Sequence, residues 1–81
     1  MSASSSDPFR EQRVTSQMYR ILQGTDDAPR SLAIDEARAA FRKEVYAIAE
    51  DVDPDRKLAL RERALKRFQA AVTREARKAA K

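Results

Sequence analysis

The sequence predicts an all-α protein: a three-helix antiparallel bundle preceded by a disordered N-terminal tail. Three observations point there. The 81 residues hold one glycine and three prolines against many Ala, Arg, Glu and Lys, a composition of helix formers. Apolar residues recur at helical spacing in three separate stretches, and none alternates with period two. Two Asp-Pro pairs and a lone glycine stand where helices would start and stop. The length allows one domain, with residues 1–7 as the tail and 8–81 as a single three-helix unit.

Residues 1–6 are small and polar and bring too little apolar surface to offset the entropy of ordering. Asp7-Pro8 has the form of an N-cap followed by proline at the first helical position. Val14, Met18, Ile21 and Leu22 then share one helical face, and Gly24 supplies a C-terminal stop. The first helix is expected over 8–23, followed by a polar loop from Thr25 to Arg30 that contains Pro29.

The second helix starts at Ser31 or Asp35, which the sequence leaves open, and is expected over 32–51. Ile34, Ala37, Phe41, Val45, Ile48 and Val52 follow one another three or four residues apart, a continuous apolar stripe. Asp53-Pro54 repeats the cap-and-proline signal and opens a third helix over 54–78. There Leu58, Leu65, Val72 and Ala79 recur every seven residues, with Phe68 beside them. A short connection at Asp51 to Asp53 predicts antiparallel packing of the second and third helices. The expected core is Val14, Met18, Ile21, Phe41, Val45, Ile48, Leu58, Leu65, Phe68 and Val72.

Composition narrows the function. There is no cysteine and no histidine, which argues against disulfides, zinc or haem sites and the usual neutral-pH proton shuttle. No Gly-rich phosphate loop or nucleophile–base pair is visible. Asp26, Asp27, Glu50, Asp51 and Asp53 do not match the spacing of a calcium loop, and solubility and helix capping account for them. The expectation is therefore a protein that is not an enzyme, with no catalytic, cofactor or metal residue. No run approaches the roughly 20 apolar residues of a membrane span, and residues 1–6 lack a signal-peptide core. A transit peptide, and so a mitochondrial destination, stays open beside cytosol and nucleus.

Charge is distributed unevenly. Residues 1–54 carry seven bases and ten acids, whereas residues 55–81 carry ten bases and three acids. A basic C-terminal element calls for an anionic partner: nucleic acid, an acidic protein or an anionic surface. On a helix, Arg56, Arg63, Arg67, Arg74, Lys78 and Lys81 fall within roughly 60° of one another, opposite the leucine stripe. Such a row is either a solvated face or an anion-binding face, and the scarcity of acids to pair with it favours binding. Tyr46 projects away from Phe41 towards Arg42, Lys43 and Glu50, as an interface anchor or as a tyrosine reaching out from the core edge.

Met18-Tyr19-Arg20 late in the first helix, Phe41-Arg42-Lys43 in the second and Asp53-Pro54 before the third resemble, in order, the LYR-motif proteins of mitochondria. In helix three, Ala64 and Phe68 fall near positions where that family has a small residue and a leucine. Met18 stands where the family has leucine, the stretch from Phe41 to Asp53 is longer, and the loop after helix one is shorter. The resemblance covers residues 14–72. It implies an accessory subunit or assembly factor of respiratory or iron–sulfur machinery in the mitochondrial matrix, working within a larger complex. The partner would be an acyl carrier protein whose acyl-phosphopantetheine chain enters between the helices. The implied contact group is Tyr19, Arg20, Phe41, Arg42 and Lys43, to which the sequence adds Tyr46, Arg63, Arg67 and Arg74. A fainter resemblance to J-domains, through Tyr19, Ile21, Leu22 and Ala40-Phe41-Arg42-Lys43, lacks that family's His-Pro-Asp; Asp53-Pro54-Asp55 has no histidine. The alternatives are a basic helical nucleic-acid binder, cytoplasmic rather than mitochondrial, and a structural subunit of a larger assembly.

Overall fold

Three helices make up most of residues 8–79, the part of the chain that the computed structural model describes: α1 (Pro8–Gln23), α2 (Leu32–Tyr46) and α3 (Pro54–Ala79). Among the described residues there is no strand. The expected tail 1–7, the Asp7 cap and Lys81 of the basic row lie outside them.

Local chemistry explains the ends. Gly24, at φ 75°, closes α1. Its N–H donates to the Ile21 carbonyl at 3.1 Å and the Thr25 N–H to that of Arg20 at 2.8 Å, the paired bonds of a Schellman cap. Ser31 decides the start of α2: its hydroxyl accepts from the Ile34 N–H, and its backbone is extended. In α3, the Asp53 carbonyl accepts the first bond, from the Lys57 N–H at 2.9 Å. Pro54 occupies the first helical position, where a missing N–H costs nothing.

The end of the second helix differs from the expectation. α2 stops at Tyr46, not at residue 51, and the connection to α3 spans residues 47–53. The Ile48 N–H reaches only three residues back, to Val45, and the Val52 N–H bonds the Ala49 carbonyl. These tightened bonds let the chain turn before Pro54, which disfavours helical geometry in the residue preceding it. Ile48 and Val52 are half-buried in this turn; Ile48 does not join the central core.

That core comprises Val14, Met18 and Ile21 of α1, Ile34 and Phe41 of α2, and Ala64, Leu65 and Phe68 of α3. Phe41, 2% exposed, meets Phe68 at 6.1 Å between ring centroids, with the rings tilted by 56°. Val45, Leu58 and Val72, expected in the core, pack against it half-buried. Ala79, last of the seven-residue repeat, is exposed. Glu44 pairs with Arg67, while Tyr46 lies near Lys57 and Arg61 at the turn, so α2 and α3 run antiparallel. Arg10 ties the start of α1 to Glu62 of α3 through two bonds, one of them 2.9 Å long.

Candidate functional site

A cleft of about 580 Å³ opens between the end of α1, the loop after it and α3. Ile21, Leu65, Phe68 and Val72 form an apolar floor, with Ala28 and Pro29 of the loop as one wall. Arg20, Gln17, Gln69 and Thr73 supply polar groups around it, and the acids Asp26, which Arg38 engages, and Asp27 line it as well. Its existence follows from the helix ends. α1 ends at Gln23 while α3 continues past Val72, and beyond the end of α1 the loop residues Ala28 and Pro29 line the cleft together with Phe68.

Arg38 and Asp26 hold that loop in place. Arg38 donates from Nε and Nη2 to the two Asp26 carboxylate oxygens at 3.0 and 2.9 Å. It also donates to Asp35 at 2.7 Å and to the Ala28 carbonyl at 3.2 Å. Both side chains of the Arg38–Asp26 pair are about one-tenth exposed. The guanidinium lies 5.9 Å from the Phe68 ring centroid. Asp26 in turn accepts from the Ala28 N–H at 3.2 Å. The Arg38 hydrogen bond outweighs burial and holds the Asp26 carboxyl below its ordinary range, and Asp26 raises the Arg38 pKa in return. One wall of the cleft is thus fastened to α2 by a largely buried ion pair.

The residues expected to form one contact group are distributed over several places. Arg20 lines the apolar cleft, while Tyr19, one residue earlier, lines a different one beside α2. Neighbouring helical residues diverge by roughly 100°, and here that divergence turns the two side chains towards different clefts. Phe41 is core. Arg42 donates to the Leu22 carbonyl at 2.9 Å and so ties α2 to the end of α1. Lys43 is exposed. Tyr46 joins Tyr19 beside the second cleft, where Lys57 and Arg61 complete the lining.

The basic row lies where the helical wheel predicts: Arg56, Arg63, Arg67, Arg74 and Lys78 are all exposed. Two of these have acidic partners, Arg67 with Glu44 at 3.3 Å and Lys78 with Glu75 at 3.4 Å. Arg67 and Lys78 stay largely exposed, so these pairs contribute little. Glu62 does not offset the row, because Arg10 engages it. That bond holds the Glu62 carboxyl below its ordinary range despite partial burial. Arg63, Lys66 and Arg67 border a shallow groove floored by Ala59 and Ala70. Among the described residues no group of three or more acids is arranged to hold a metal ion, and no helix is long and apolar enough to cross a membrane.

Comparison with protein-family models, with curated proteins and with solved structures finds no match. Arg38, Lys57 and Arg61 are the residues that the sequence pattern did not single out. For Arg38 a signal was present: it stands four residues after Ile34 and three before Phe41, so a charge interrupts a buried stripe and needs a partner. Lys57 and Arg61 gain meaning only from the approach of α1 and the 47–53 turn, which no local spacing encodes.

Proposed function

We propose that this chain is a non-enzymatic adaptor that docks an acidic protein partner, as an LYR-like accessory subunit or assembly factor would. In its specific form the partner is an acyl carrier protein, met in the mitochondrial matrix as part of a larger complex. The observation that supports this best is the open cleft with Arg20 at its edge and Ile21, Leu65, Phe68 and Val72 as its floor. Its volume lies within the range of sites that enclose small ligands. An apolar chain fits the floor, and a phosphate or carboxylate beside it would pair with Arg20 against the opposing charge of Asp27, the Asp26 charge being met by Arg38.

The mechanism divides into steering and capture. The exposed row on α3 attracts an acidic surface from a distance, raising the encounter rate at low salt. Arg20 then pairs with an anionic group at the cleft edge, and burial of the apolar chain supplies the lasting affinity. Phe41 would meet such a chain only if the core parted, being almost fully enclosed. Binding assays with an immobilised acyl carrier protein test this. Arg20→Ala should weaken retention about tenfold, the loss of one charge-assisted bond, with thermal stability unchanged. Arg42→Ala should also weaken it, but as a tie between α2 and α1 it should lower stability as well. Full retention by the Arg20 variant would contradict the assigned role.

A second reading, a cytoplasmic nucleic-acid binder, draws support from Arg56, Arg63 and Arg74, which have no acidic partner among the described residues. It predicts affinity for DNA or RNA that ignores sequence and falls with salt by a slope of about 0.7–0.9 per neutralised phosphate. No retention of either at low salt would remove it.

A further inference from the structure

We infer that the cleft between α1, the end of α2 and the start of α3 docks an acidic segment of a partner protein. A carboxylate sits on Arg61 and Lys57, and an aliphatic side chain lies between Tyr19 and Tyr46. The inference rests on the chain being a partner-binding protein, but on neither the apolar cleft nor an acyl cargo.

The first observation is Arg61. Its Nε is buried and has no hydrogen-bond partner among the described residues. Neither Arg61 nor Lys57 takes part in an ion pair among the described residues. A carboxylate is the group that satisfies a guanidinium best. It would meet half-buried Arg61 through the part of its fork that lines the cleft, the enclosed Nε marking a guanidinium whose charge no ion pair among the described residues neutralises. The second is the pair of tyrosines. Tyr19 is 52% and Tyr46 70% exposed, so neither ring is needed to close the core, yet the fold places both beside one cleft. Exposed tyrosines are enriched at protein interfaces, where the ring supplies apolar area and the hydroxyl a hydrogen bond. The third is the lining itself. Leu22, Val45 and Ile48 form an apolar wall, and Glu50 is the one acid set against two cations. The opening, about 320 Å³, lies at the small end for an enclosed ligand, which favours a side chain or two from a protein segment.

The test is a titration of the full chain, ¹⁵N-labelled, with a short capped helical peptide that places Glu and Leu four residues apart. A Lys/Leu peptide of the same design and a short DNA duplex are titrated in parallel. Amide shifts should change around Tyr19, Tyr46 and Arg61 with the Glu/Leu peptide alone. Arg61→Gln should weaken that binding about tenfold, and Glu50→Gln should strengthen it roughly twofold or more by removing a like charge. Circular dichroism checks that the variants stay helical. Should Arg61→Gln fail to fold, Glu50→Gln and Tyr46→Ser, both at exposed positions, still decide the matter, with opposite expected signs. Equal binding of the Lys/Leu peptide would overturn the inference, as would shifts confined to the Arg20–Val72 cleft or to the Arg63–Arg67 face, the same shifts evoked by DNA, or no saturable binding. Binding of the peptide here with no binding of an acyl carrier protein would leave this site standing and remove the acyl reading.

Discussion

Replacing Asp26 with asparagine removes the charge from a nearly isosteric side chain and so isolates the ion pair that fastens the 24–31 loop. Of the two Asp26 contacts, at 2.9 and 3.0 Å, Arg38 keeps at most a neutral one to the amide oxygen and loses the other to the amide NH2, while Asp35 and the Ala28 carbonyl remain. Exposed ion pairs contribute about 0–1 kcal/mol, whereas breaking a fully buried one costs about 3–5 kcal/mol. At one-tenth exposure, with partial compensation from Asp35, the expected loss is about 2–3 kcal/mol. An 81-residue domain has roughly 4–12 kcal/mol in total, so the melting temperature should fall by about 10–20 °C. The loss must also depend on pH. The Asp26 carboxyl titrates lower in the folded chain than in the unfolded one. Its stabilisation is therefore complete above the unfolded value near about 4 and disappears as pH falls through the folded value. Thermal melts of both proteins across pH should differ fully near neutrality and converge in acid. A difference below about 0.5 kcal/mol at neutral pH, or one that persists unchanged into strong acid, would refute the assignment of the pair as the loop's fastening.

Three further outcomes follow from the same geometry. Phe41→Ala should cost about 3–5 kcal/mol, because the ring is enclosed and meets Phe68; chemical denaturation measures it, and a loss below about 1 kcal/mol would place the ring outside the core. Gly24→Ala should cost about 1 kcal/mol in a melt although open space surrounds a Cβ there, since the positive φ is strained for any side chain; an unchanged melting temperature would contradict this. Reversing the charges of Arg63, Arg67 and Arg74 together should weaken partner binding far more than folding, each exposed change costing less than about 0.5 kcal/mol of stability; unchanged affinity would show the row to be solvated surface only.

How much of this the sequence displayed depends on whether the signal was local. The starts of α1 and α3 are encoded by proline, and Gly24 encodes the end of α1 because its backbone conformation belongs to glycine. The end of α2 is not local in this sense. Ile48 and Val52 continue the helical period, yet they are half-buried in a turn, where the same spacing serves a different backbone. Periodicity reports which side chains are buried and not which element buries them. The site divides the same way. The exposed row on α3 is a property of one helix and could be read from it. Tyr19 and Arg20, adjacent in a three-residue motif, face different clefts, because a helix separates what the sequence joins. Tyr46 meets Tyr19, Lys57 and Arg61 only through the packing of three elements, and the apolar cleft depends on how far α3 outruns α1. Neither was visible in any one stretch.

The central claim, that the Arg20 cleft receives an apolar chain from an acidic carrier, is tested most directly by calorimetric titration with acyl carrier proteins bearing chains of increasing length. Affinity should rise by about 0.8 kcal/mol for each methylene buried, until the cleft is filled. Val72→Trp, which fills the floor from a half-buried position, should abolish that dependence while leaving the salt-sensitive part of binding in place. Affinity that ignores chain length in the parent protein would contradict the claim, whatever strength the electrostatic attraction retained.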